Sequence, residues 1–188
     1  LDGQPFQVAH FYQPMTSLER DSRFIETALT ELQDYLLSEE LYWPLGNSLP
    51  RLTPGALLLA LRRAEALNPS AAHNWQRELD LVRAKWRTAW EKKALRETHN
   101  RLRLWSESIS EWRSAPGENP ADYTGAVRGR VILQLLLSEI NSPQEQAALN
   151  DLDIFLRANL IKSGFLWEAG LESAFPADNF WFLYGKLK

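Results

Sequence analysis

Three side chains in this chain have the chemistry of metal ligands or proton shuttles: His10, His73 and His99. Neutral imidazoles from different helices can converge on a zinc or iron ion, so a metal-dependent helical-bundle enzyme is one reading of them. None lies in an E-x-x-H or H-E-x-x-H frame, and the sequence supplies no further convergent ligand. The expectation is three unrelated histidines, with His99 on a solvated helix face, no metal and no cofactor. Carboxylates recur at helical spacing, as in Glu168 and Glu172, but spacing alone does not set two of them across a cleft. No phosphate-binding glycine loop, dinucleotide fingerprint or G-x-S-x-G elbow is present, and with no cysteine there is no thiolate nucleophile. The catalytic assignment is therefore none.

The strongest charged pattern lies between Gln76 and Arg113, where ten Lys or Arg face six Asp or Glu in a chain whose net charge is −3. Lys85, Arg87, Lys92, Lys93 and Arg96 alternate there with Trp86 and Trp90. Cations interleaved with aromatic rings grip phosphates and stack bases, so these five residues are the candidate nucleic-acid contacts. The competing reading makes them the solvated side of a helix whose tryptophans face inward.

The elements that must position these residues are marked by chemistry. Thr53-Pro54, Asn68-Pro69, Asn119-Pro120 and Ser142-Pro143 each pair a capping oxygen with a proline suited to the first helical position. Thr16 with Glu19, and Ser142 with Glu145, have the spacing of capping boxes. Helices are expected at about 17–41, 54–67, 69–113, 120–140 and 143–162, with Gly164 as the last cap.

The third of these is the organising element. Trp75, Leu79, Val82, Trp86, Trp90, Ala94, Thr98, Leu102, Trp105, Ile109 and Trp112 recur at close to the helical period and form its inward line. Its polar centre, 91–101, is where the helix either bridges two packed ends or bends. Gly125 and Gly129, four apart, predict a notch where another helix approaches. The aromatic tail from Phe165 to Tyr184 is expected to fold back and close the core, and the alternative is an exposed anchor for a partner. No alternating run predicts a strand.

These features predict an all-α fold: an irregular bundle of about five main helices on one long helix, in a single domain over 1–188, or in two lobes bridged at 91–101. For function, the residues favour a non-enzymatic helical protein-interaction module, bacterial and cytoplasmic, with a protein partner or self-association. The alternative is nucleic-acid binding through the basic face. No run approaches the roughly 18 apolar residues of a membrane span, so no membrane partner is expected.

Overall fold

The computed structural model of the chain describes residues 16–46, 48–114 and 120–188. His10 and the Asn119 cap lie outside the described residues. The architecture is all-α, with a small antiparallel sheet and an aromatic cluster near the C-terminus.

Helix α1 (Ser17–Leu37) opens on the expected capping box: Glu19 N–H donates to Thr16 Oγ1, and Thr16 N–H to Glu19 Oε2. It buries Phe24, Ile25, Ala28, Leu32, Tyr35 and Leu36. It stops at Leu37, short of the expected Leu41, because Ser38 turns extended and caps the end through its own N–H. The following carbonyls then bind elsewhere: Glu40 O accepts from Lys93 Nζ, and Glu39 O from Arg96. Helices α2 (Pro54–Leu67) and α3 (Pro69–Lys85) meet at a corner made by one residue. Asn68 ends α2 and caps α3, its Oδ1 accepting from Ala71 N–H.

The long helix 69–113 proves to be two. Trp86 has φ −119° and ψ +35°, far from helical values, and separates α3 from α4 (Arg87–Ser114). The interruption is one residue long, since Trp86 N–H still reaches Val82 O and Trp90 N–H reaches Trp86 O. The inward line nevertheless runs through it: Trp75, Leu79, Trp90, Ala94, Thr98, Trp105, Ile109 and Trp112 are buried. Trp86 itself is half-buried, with Lys85 Nζ over its ring at 5.3 Å.

Helix α5 (Pro120–Glu139) packs against α2 and α4 and buries Val127, Arg130, Val131, Ile132, Leu133 and Leu136. The glycine notch expected on it is not used. Among the described residues nothing lies within 4 Å of a Cβ built at Gly125 or Gly129, so no helix approaches there. Helix α6 (Pro143–Asn159) ends three residues before the expected Lys162. Leu160–Lys162 forms strand β1, which pairs antiparallel with β2 (Gly185–Leu187), a pairing no periodicity announced. Gly164 is accordingly not a helix cap. The capping box expected at Ser142 also fails: Ser142 makes no side-chain cap bond, and Glu145 instead meets His99 Nε2 at 2.7 Å.

Between the strands lie 3-10 turns at Ala169–Ala174 and Trp181–Leu183 and the short helix α7 (Ala177–Phe180). Edge-to-face contacts chain Trp167, Phe175, Phe180 and Phe182 together at 5.1–6.0 Å. Tyr123 Oη donates to Phe182 O, and Arg62 Nε to Ala174 O. The tail closes the core, with Phe175, Phe180, Phe182 and Leu183 buried. Among the described residues no helix is long and apolar enough to cross a membrane.

Candidate functional site

Charged side chains gather at several places inside this frame. The first is the polar centre of α4. Glu97 is fully buried and accepts from Thr53 Oγ1 at 2.8 Å, Gly55 N–H at 2.7 Å and Arg101 Nε at 2.6 Å. Its carboxylate lies at the N-terminus of α2, where free N–H groups and the helix dipole favour an anion. Gly55 allows that approach, because a methyl there would overlap Ile132 Cγ2 and stand 2.8 Å from Glu97 Oε1. One turn away Lys93 is buried, donates to Ser38 Oγ and Glu40 O, and sits 4.4 Å from the centre of the Tyr35 ring. Burial pulls its pKa below the usual lysine value, with Arg96 adding to the effect and Glu39 and Glu40 opposing it. The polar stretch 91–101 thus clamps the end of α1 and the start of α2.

The second place is Arg130 with Asp153, joined by two bonds at 3.0 and 2.7 Å beneath the tail. The guanidinium also lies 4.2 Å from the centre of the Phe182 ring and donates to Gln134 Oε1. These donors and acceptors are all answered, so the pair ties α5, α6 and the tail together.

The third is an open furrow of about 480 Å³ between α2, α5 and the tail. Leu59, Leu166, Trp167 and Leu171 supply its apolar lining, and Thr124, Gly125, Arg128, Arg63 and Glu168 complete it. A narrow arm of about 30 Å³ continues past Leu59, Arg63 and Arg128 toward Arg20, Asp21 and Phe24. Charge is unevenly matched here. Arg63 Nε stands 3.0 Å from Asp21 Oδ2, close enough to pair but not aligned for a hydrogen bond. Burial raises the Asp21 pKa above the usual carboxylate value, and Arg63, Arg128 and Arg20 pull against it. Arg128 has no hydrogen bond and no ion pair within 4 Å among the described residues. Although its side chain reaches solvent, enclosure by the furrow and then Arg101 and Arg63 push its pKa down, Asp21 opposing.

The residues singled out in the sequence are divided by the fold. Of the five basic candidates, Lys93 is interior and Arg96 bonds Glu39 O. Arg87 is highly exposed and pairs with Glu91 at 2.8 Å, Lys92 lies 3.9 Å from Glu39, and Lys85 covers Trp86. Arg87 and Lys92 rim a broad depression that also contains Glu91 and Glu139. His73 and His99 are exposed on separate helices, and among the described residues no three His, Asp or Glu are grouped to hold a metal. No motif in the sequence links Arg63 and Arg128, and only tertiary packing brings them together. No known protein family, curated protein or solved structure matches the chain.

Proposed function

We propose that the chain is a non-enzymatic helical interaction module that seats a segment of a partner protein in the furrow between α2, α5 and the tail. The observation that carries this reading is the bare wall of α5. Nothing among the described residues fills the space at Gly125, in a furrow whose apolar lining is Leu59, Leu166, Trp167 and Leu171. An apolar surface with a few polar groups placed on it is the usual anatomy of a binding site. The buried ions elsewhere are engaged in joining segments of the fold, which favours binding over chemistry. A cytoplasmic setting accords with the cysteine-free composition.

Gly125→Phe tests the proposal. The open space accepts the ring, and replacing glycine within a helix favours the fold, so the melting temperature should hold or rise slightly. A partner captured by a photo-crosslinker at Thr124 should be lost in this variant. Equal capture by the wild type and the folded variant would remove the furrow from consideration. The nucleic-acid alternative rests on Arg87 and Lys92 and requires a low-salt gel shift that weakens steeply as salt rises.

A further inference from the structure

We infer that the furrow selects a partner segment in which an acidic side chain is flanked by large apolar ones, the carboxylate seated on Arg128. This rests on the docking role of the furrow proposed above. Three observations carry it. Among the described residues, Arg20, Arg63 and Arg128 line the furrow and its narrow arm against Asp21 and Glu168, leaving one positive charge in excess. Both acids have neighbours of their own: Asp21 faces Arg63, and Glu168 Oε2 accepts from Ser17 Oγ at 3.4 Å. The unanswered cation is Arg128, whose planar fork suits a carboxylate.

The other two observations define the rest of the segment. Leu166 and Trp167, both half-buried, give the flanking residues apolar surface, beside Leu59 and Leu171 of the core. The furrow does not end at the arginines, because Leu59, Arg63 and Arg128 also line the arm that leads on toward Phe24. That arm holds only about 30 Å³, room for a water or two and not for a peptide, so the segment lies along the open furrow and presents a side-chain carboxylate to the arginines.

The test uses the full ¹⁵N-labelled chain, with the amide resonances of Gly125 and Gly129 as reporters. The probes are the blocked peptides acetyl-Leu-Glu-Leu-Phe-amide and acetyl-Leu-Gln-Leu-Phe-amide. The Glu peptide should move both glycines and bind on the order of tenfold more tightly at low salt, the advantage shrinking as salt rises. Arg128→Gln should erase the difference while the Gln peptide still binds, and Arg128→Lys should keep part of it.

Equal affinities in the wild type would overturn the acidic preference and leave the furrow a docking site. Movement of neither glycine by either peptide would overturn both. The inference also falls if inorganic phosphate matches the Glu peptide, or if acetyl-Leu-Phe with a free terminus outcompetes it. Shifts that follow protein concentration alone would seat a second copy in the furrow. Cross-peaks from residues 5–14 to Gly125 without peptide would seat the chain's own N-terminal stretch there. Either result would overturn it as well.

Discussion

The polar centre of α4 and the furrow beside α5 are built from the same materials and differ in how completely they are answered. Each joins arginine and carboxylate side chains with groups from segments distant in sequence. At Glu97 three donors at 2.6–2.8 Å surround a carboxylate with no solvent contact. In the furrow Arg128 has no close anion among the described residues, and the Asp21–Arg63 pair is misaligned. A saturated polar cluster fixes one arrangement of helices, because leaving a buried ion without its partner is expensive. An incompletely answered one keeps interaction capacity for something outside the chain.

The contrast breaks first at Glu97. Glu97→Ala removes the acceptor of Thr53, Gly55 and Arg101 and opens a cavity under the α2 N-terminus. A loss of about 3–5 kcal/mol is expected, from the range for breaking a buried ion pair. Urea unfolding followed by circular dichroism would show it as a lower midpoint. A loss below about 1 kcal/mol, the range of exposed ion pairs, would mean that the cluster is no tighter than a surface pair. The tryptophan line gives a parallel check on the core. Trp90→Ala should cost roughly 3–5 kcal/mol, because Trp90 is 2% exposed. Trp86→Ala at the half-buried break should cost clearly less.

Next in size is Gly55→Ala. The added methyl collides with Ile132 and crowds Glu97 Oε1, so about 1–3 kcal/mol of overpacking strain is expected despite the better helix propensity of alanine. At Gly125 the same kind of substitution meets open space, and the sign should reverse to a small gain. Comparing Gly55→Ala with Gly125→Ala by thermal unfolding sets the two regions side by side in one measurement. Similar melting temperatures for the two variants would remove the distinction between a filled approach and a bare wall.

How far each region was legible follows from the same difference. Thr53-Pro54, Asn68-Pro69 and Thr16 with Glu19 announced helix starts, because a cap is chemistry between near neighbours. The buried line from Trp75 to Trp112 was legible because periodicity survives a one-residue interruption. The interruption at Trp86 was not legible, as neither proline nor glycine marks it. The polar stretch 91–101 stood out as anomalous, yet its role depends on Ser38, Glu40, Thr53 and Gly55, which lie more than 40 residues away in the chain. The β1–β2 pair joins two three-residue segments, too short for an alternating pattern to register. Arg63 and Arg128 are 65 positions apart, and nothing local to either marks a furrow.

A smaller effect belongs to the bridge between α4 and α6. His99 Nε2 holds the Glu145 carboxylate at 2.7 Å and, as the first of several causes, lowers its pKa below the ordinary glutamate value. A carboxyl whose folded pKa is depressed adds stability above its unfolded pKa and loses it as pH falls through the folded one. Glu145→Gln should therefore cost only about 0.2–1 kcal/mol at neutral pH, as expected of an exposed pair. That cost should vanish once the pH is well below the usual glutamate range. A penalty that persisted in acid would assign the effect to packing.

The smallest expected change is the most discriminating. Arg128 carries a folded pKa pushed down by enclosure, then by Arg101 and Arg63, so its charge is slightly disfavoured in the native state. A base with a depressed folded pKa costs stability wherever it remains protonated, and an arginine is protonated throughout the working pH range. Arg128→Gln should accordingly leave stability within about 0.5 kcal/mol of the wild type, and on the favourable side if it shifts. The same substitution at Arg130 should be severe, because it strands Asp153 beneath the tail, where breaking such a pair costs about 3–5 kcal/mol. These two arginines lie on one helix, two residues apart. If Arg128→Gln destabilised the fold as Arg130→Gln does, the furrow cation would prove to be another structural clamp, and its capacity for an outside carboxylate would go with it.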